Sequence, residues 1–144
     1  MKKQGAYALY LDVKRPLKLT VGSLKCISLP PGRYAYIGSA RAGIAARILR
    51  HKRLAEEKIG KIRWHIDYLL VHPQIQWIGE TAFAEENECD VSRRFASRKG
   101  VTTPAPKFGS TDCRRRCTAH LYRLGPNSAN TEQQGPVLKR HAFH

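Results

Sequence analysis

Arg33-Tyr34-Ala35-Tyr36-Ile37-Gly38-Ser39-Ala40, running into Arg41-Ala42-Gly43-Ile44-Ala45-Ala46-Arg47-Ile48-Leu49-Arg50-His51, is where the chain changes period. Up to Gly38 the residues are β-prone and bounded by Pro30-Pro31-Gly32; beyond it Ile44, Ala45, Ile48 and Leu49 recur at the spacing of one helical face. On that helix Arg47, Arg50 and His51 fall on a neighbouring face. Arg47 and His51, four apart, stack one turn above the other.

Working back from this stretch, Gly5 to Val13 predicts a strand with Tyr7, Leu9 and Leu11 on one face and Ala6 and Tyr10 on the other, ended by Lys14-Arg15-Pro16. Leu17–Val21 and Leu24–Leu29, around Gly22-Ser23, read as a β-hairpin. The first forty residues therefore predict a small antiparallel sheet. Working forward, the first helix runs to near Gly60, a second spans Lys61 to Leu70 and is closed by His72-Pro73, and a strand spans Ile75 to Phe83. A third helix covers Glu85 to Ser97, with acids in its first turn as the macrodipole favours. Its residues Glu88, Val91, Ser92 and Phe95 share one stripe, and a carboxylate on an inward stripe is costly without a partner. Glu88 is thereby set apart from Glu85, Glu86 and Asp90. Gly100 to Thr111 is loop-like, His120 to Leu124 is a last strand, and from Gly125 Pro, Asn, Ser, Gln and Gly predict a flexible tail. The expected class is α+β: an antiparallel sheet with an inserted hairpin and about three helices, residues 1–124 forming one domain and 125–144 the tail.

Charge narrows the function. Against 26 Lys and Arg stand 11 Asp and Glu, a formal net charge of +15. Fifteen of the basic residues precede position 64, while five acids crowd between Glu80 and Asp90. A patterned excess of this size implies a polyanionic partner, with nucleic acid, DNA above all, the expected one. Arg41, Arg50, Lys52, Arg53, Arg114, Arg115 and Arg116 are the expected phosphate contacts, positioning without reading sequence. Met1-Lys2-Lys3-Gln4 leads into an apolar run too short for a signal peptide, and no run approaches membrane-spanning length, so a cytoplasmic protein without a membrane partner is expected. In a reducing compartment Cys26, Cys89, Cys113 and Cys117 are expected to form no structural disulfide.

Phosphodiester hydrolysis needs a base for water, a divalent cation on the phosphate, a cation facing the developing charge, and something to hold them in register. Glu88 could anchor Mg²⁺ or Mn²⁺, and Arg47 offers a planar fork for phosphate. Tyr7, Tyr36 and His51 could move or orient a proton, although a tyrosine needs its pKa lowered to act as a base near neutrality. Each has a plainer reading: strand tyrosines commonly pack, and a basic helix face is commonly just solvated. It is their order along the chain that favours the functional one.

Gly5-Ala6-Tyr7, then Tyr36-Ile37-Gly38 ending a later strand, then a helix with Arg47 and His51, then a helix with Glu88, resembles the GIY-YIG nuclease family. Together with Trp64-His65-Ile66-Asp67-Tyr68-Leu69, Glu88-Cys89 and Phe108-Gly109-Ser110-Thr111-Asp112-Cys113, the pattern is similar to an archaeal and bacterial branch of that family, sometimes fused to endonuclease III. The resemblance covers roughly residues 5 to 124. It implies Tyr7 as general base or water-orienting residue, Tyr36 shaping the same site, Arg47 on the phosphate, His51 assisting, and Glu88 as the single ligand of one Mg²⁺ or Mn²⁺ ion. The implied activity is that of a DNA endonuclease, in repair or the processing of branched DNA and with possible association with a repair enzyme; the alternative is a nucleic-acid-binding module that has kept the fold and lost cleavage. Three departures accompany it. Ala6 replaces the isoleucine of the first motif, the Leu17 to Leu29 hairpin lengthens the gap between motifs, and the asparagine that many members place beyond the glutamate has no counterpart, with Ser110 or Asp112 as substitutes.

Cys89, Cys113, Cys117 and His120, with His65 as another possible ligand, could hold zinc. Their spacing is not one of the strong zinc signatures, and the preferred reading is of buried thiols packed behind the Arg114–Arg116 cluster.

Overall fold

A computed structural model describes residues 4–110 and 117–126. Four strands, β1 (Gly5–Val13), β4 (Gly32–Ala40), β5 (Ile75–Ala84) and β6 (Leu121–Gly125), form an antiparallel sheet in the order β5-β1-β4-β6. The hairpin strands β2 (Leu17–Thr20) and β3 (Cys26–Leu29) form a separate two-stranded sheet. Three helices complete the described part: α1 (Ile44–Glu57), α2 (His65–Leu70) and α3 (Glu88–Ala96). The expected α+β class is the observed one.

The first forty residues do not make one sheet, and the reason is edge occupancy. Both edges of β1 are taken, by β4 and β5, and the far edge of β4 by β6. The hairpin is left to pair with itself and to add Leu17, Ile27 and Leu29 to the core. Its connection is a 3₁₀ turn over Gly22–Leu24 followed by Lys25 at φ 61°, so Leu24 belongs to the turn and not to a strand.

The central sheet is covered on both faces, which is why its strands read as nearly continuous apolar runs. One face carries Tyr7, Leu9, Leu11, Tyr34 and Tyr36 and packs on residues of α1, α2 and the hairpin. The other carries Ala6, Ala8, Tyr10, Ala35 and Ile37 and packs on Val91 and Phe95 of α3. Each fully buried Leu or Phe contributes roughly 1.5–3 kcal/mol, and the two clusters fix α1 and α3 against opposite sides of β1 and β4.

The helices are shorter than the sequence predicts, for local reasons. α2 starts at His65, not Lys61, because the buried carboxylate of Asp67 accepts from the backbone N–H of Arg63 (2.7 Å) and Trp64 (3.0 Å) and so defines the first turn. α3 starts at Glu88, not Glu85: Glu85 has φ 63°, which no right-handed helix accepts, and Asn87 caps the N–H groups of Cys89 and Asp90. α1 ends at Lys58, left-handed at φ 60°, whose N–H returns to the Leu54 carbonyl and whose ammonium donates to the carbonyls of Leu70, His72 and Ile75 at 3.0, 2.8 and 2.7 Å. That single side chain ties the end of α1 to the end of α2 and the start of β5.

The phase of α1 also differs from expectation. Ala45 is exposed and Leu49 is 50% exposed; the buried residues are Ile44, His51, Leu54 and Ala55. Ile44 and Ile48 face the core as expected, but the polar His51, not Ala45 or Leu49, completes the stripe, so an apolar-only count rotates it part of the way round the helix. Gly125 lies in β6 and pairs with Arg33, so the folded part extends past residue 124. Residues 127–144, the rest of the expected tail, lie outside the described residues. Among the described residues no helix is long and apolar enough to cross a membrane.

Candidate functional site

Tyr7 and Gly38 face one another across β1 and β4. A Cβ at Gly38 would lie 2.5 Å from both Cζ and the hydroxyl oxygen of Tyr7, so the glycine is there to let the tyrosine ring lie flat over the neighbouring strand. Its φ is ordinary; the requirement is one of space.

The Tyr7 hydroxyl so placed meets Nε2 of His51 at 2.8 Å. On its other side Nδ1 of His51 lies 3.9 Å from Oδ1 of Asp67. At that separation Nδ1 makes no hydrogen bond among the described residues, but the carboxylate's charge favours the tautomer with its proton on Nδ1, which leaves Nε2 to accept from the tyrosine. Burial lowers His51 from its usual range to about 4; Asp67 opposes this, and Arg50 and Arg47 reinforce it. The imidazole is therefore neutral at pH 7. Asp67 is itself fully buried, and although burial alone would raise it, the Arg50 fork (3.0 and 3.1 Å) and the two backbone donors hold its carboxyl below the usual range.

Burial raises the Tyr7 hydroxyl above the ordinary phenol range, with the Arg47 guanidinium acting against it. Tyr36 is raised well above that range too, again by burial first, with Tyr7, Glu88 and Asp67 adding to the effect and Arg47 opposing it. The lowered tyrosine pKa that a free-standing base needs is not what the fold produces. Tyr36 is buried between aromatic edges, its ring 6.5 Å from that of His51 and 6.3 Å from that of Phe108, and Gly109, at φ 73°, leaves room beneath it. Gly109 is itself held by its N–H donating to Nδ1 of His65 at 2.9 Å.

Arg47 and Glu88 come from opposite layers and meet at Ser39. The Arg47 guanidinium donates to the Ser39 carbonyl at 3.3 Å, and the Ser39 hydroxyl donates to Oε1 of Glu88 at 3.4 Å. Glu88 keeps 32% of its side chain exposed, and burial of the rest raises its carboxyl, partly offset by the Ser39 hydroxyl. Arg47 also lies over the indole of Trp64, 4.5 Å from the ring centroid, with Arg50 at 4.7 Å. Tyr7, Tyr36, Arg47, His51 and Glu88 are thus gathered around the end of β4.

The other expected residues divide. Arg41, Lys52 and Arg53 are exposed and available to a polyanion. Arg50 is not: its guanidinium is engaged by Asp67 and by the Lys61 carbonyl. Cys89, Cys117 and His120 are brought together, one ligand atom of each lying within 4.8 Å of the others. Cys113, Arg114, Arg115, Arg116 and Asp112 lie outside the described residues. Ser110 is buried, and its hydroxyl makes no hydrogen bond among the described residues.

A family model described as "Domain of unknown function DUF123" matches residues 6–141. The chain belongs to the DUF123 family. Comparison with curated proteins and with solved structures returned no match. The DUF123 match takes in both strands and both helices that build the site, so all five gathered side chains belong to the family domain.

Three participants in this DUF123 chain escape a reading of the sequence alone. Asp67 looks like an interior residue of the expected Lys61 to Leu70 helix, and only its polar placement on an otherwise apolar stretch hints at a buried partner. Trp64 looks like helix interior but stands just before α2, under two guanidinium groups. Ser39 contributes a backbone carbonyl, which any residue would supply, and a hydroxyl whose only signal is its place beside Gly38.

Proposed function

We propose that this chain is a divalent-metal-dependent phosphodiesterase acting on DNA. The observation that carries the reading is the line Tyr7–His51–Asp67 placed beside Arg47, with Glu88 tied to the same Ser39 that Arg47 grips. The likeness to GIY-YIG nucleases supports it, and so does the net charge of +15.

The residues divide the work as follows. Arg47 presents its fork to the phosphate and faces charge that develops on the non-bridging oxygens. A water attacks phosphorus while its proton passes to the Tyr7 oxygen and the Tyr7 proton passes to Nε2 of His51, whose neutral ring holds a free lone pair there although burial makes the imidazolium costly. Asp67 then faces an imidazolium, the form its charge favours. Oxygen–phosphorus bond formation accompanies breakage of the ester bond, and the departing oxygen takes a proton from solvent. Glu88, a single partly exposed carboxylate, suits a hard cation such as Mg²⁺ or Mn²⁺ that keeps several waters, and such an ion supplies Lewis-acid polarisation of the phosphate. The raised Tyr7 hydroxyl fits a relay that never leaves free phenolate behind.

A second reading is favoured by one observation: Tyr7 is 1% exposed. A hydroxyl so enclosed suits a packing role, in a binding module that keeps the fold without cutting. Incubation of branched, nicked and linear DNA with Mg²⁺ or Mn²⁺ separates the two. Cleavage lost in Glu88→Ala and Arg47→Ala supports the enzyme; binding without cutting on every substrate supports the module.

A further inference from the structure

We propose that Cys89, Cys117 and His120 form a zinc site, with the Glu88 carboxylate beside it as an outer group and not a ligand. Cys89 stands in the first turn of α3, while Cys117 and His120 lead into β6. One ligand atom from each lies within 4.8 Å of the other two, and all three residues are buried, at 6, 8 and 2% exposure. An independent observation points the same way. Among the described residues neither ring nitrogen of His120 makes a hydrogen bond, the nearest carboxylate, Glu88, standing off at 3.6 Å from Nδ1, although the side chain is enclosed. A buried polar side chain without a partner costs roughly 1–3 kcal/mol, and natural folds seldom tolerate one.

The donor set selects the ion. Thiolate sulfur with imidazole suits zinc and is a poor match for Mg²⁺ or Mn²⁺, which take oxygen. Two thiolates and a neutral imidazole around Zn²⁺ sum to no net charge, which suits an enclosed setting. With bonds of roughly 2.0–2.3 Å, ligand atoms around a tetrahedral zinc sit about 3.3–3.8 Å apart, so closing on the ion takes a contraction of no more than about 1.5 Å. Cys117 also lines a cleft of about 370 Å³ with Arg93, Thr103 and Tyr122, which gives the ion a way in and leaves room for a water as fourth ligand.

The site has a structural role ready for it. Already the Ser92 hydroxyl donates to the Ala119 carbonyl at 3.3 Å and bonds the Tyr122 hydroxyl, so α3 is laced to the segment that zinc would clamp. Nδ1 of His120 lies 3.6 Å from Oε2 of Glu88. With zinc on Nε2, an Nδ1–H turned to that carboxylate would complete the metal–imidazole–carboxylate arrangement by which outer groups orient metal-bound histidines. The inference does not depend on the phosphodiesterase reading, because metal content is measured without a substrate.

Full-length protein is purified without chelator, dialysed, and analysed for metals; the stripped protein is then titrated with Co²⁺. About one equivalent of zinc and intense thiolate-to-cobalt charge-transfer absorption are expected. Cys89→Ser and Cys117→Ser should each lose the zinc and weaken that absorption, while Cys26→Ser, at an exposed thiol on β3, should keep both. The Co²⁺ titration of the unmutated chain keeps the test open should a variant fail to fold. Purified protein without zinc that also gives no charge-transfer band overturns the proposal, as does zinc retained in full by both cysteine variants.

Discussion

Tyr7 reaches Nε2 of His51 at 2.8 Å only because Gly38, opposite it across the sheet, has no side chain. The contact joins a strand residue to a helix residue through a gap one methyl group would fill.

Gly38→Ala is therefore expected to harm the site without removing any charge. The new methyl meets Tyr7 at 2.5 Å, and either the ring or the strand must move. A cost of about 1–3 kcal/mol is expected from overpacking, read from the urea midpoint. On the phosphodiesterase reading cleavage should fall by at least roughly 10²-fold, the scale of a misplaced proton-transfer group, while DNA binding at fixed salt should change little. Full cleavage in a folded Gly38→Ala protein would remove Tyr7 from the chemistry.

Tyr7→Phe tests the hydroxyl alone. The ring's packing stays, but Nε2 of a buried histidine loses its donor, at a cost of about 1–3 kcal/mol. On the same reading single-turnover cleavage should drop by roughly 10²–10⁴-fold, with unchanged affinity for DNA. Equal loss of affinity and rate would point to packing instead of proton transfer.

Acid should begin to destabilise the fold above the usual carboxylate range. His51 titrates near 6.5 when unfolded and near 4 when folded, so the unfolded chain binds the proton first. The stability is complete above pH about 6.5 and falls as pH drops toward 4, a gap worth about 3 kcal/mol. Asp67, held below its ordinary value, adds a further loss at still lower pH. Urea midpoints at neutral pH and at about pH 4.5 should differ in the natural chain, and His51→Gln should flatten the slope between them. An unchanged slope in that variant would show that another group carries the effect.

Lys58 offers a test of the fold away from the site. Its ammonium serves three carbonyls, and bonds to a charged donor contribute about 1.5–3 kcal/mol each at most. Lys58→Ala should cost about 3 kcal/mol or more through the lost bonds, because alanine bears the left-handed backbone no better than lysine does. Lys58→Gly removes the same bonds at a conformation glycine accepts, and should be the milder by about 1 kcal/mol. Denaturant titration of the two variants reads both numbers.

Much of this architecture is legible in the chain because its punctuation is strong. Lys14-Arg15-Pro16, Pro30-Pro31-Gly32 and the change of period after Gly38 mark the elements, and the order of Tyr7, Tyr36, Arg47, His51 and Glu88 marks the site before any geometry is known. What escapes is set by neighbours distant in sequence. The hairpin's exclusion from the main sheet depends on β5 and β6 having taken the edges of β1 and β4. The phase of α1 escapes because His51 is polar yet fully buried, its place decided by Tyr7 and Asp67. Arg50 reads as a phosphate contact because nothing near it in sequence reveals Asp67 as its partner.

One peptide unit, at Ser39, faces both layers: its carbonyl holds Arg47 and its side chain meets Glu88. On the phosphodiesterase reading, the two charges brought to a phosphate are then gauged from a single strand, not from two bodies that must swing together. Such an enzyme would be set like a fixed-jaw tool once its sheet has formed. Its turnover would be governed by how a DNA segment arrives at and leaves the end of the strand, with no closing motion of its own to wait for.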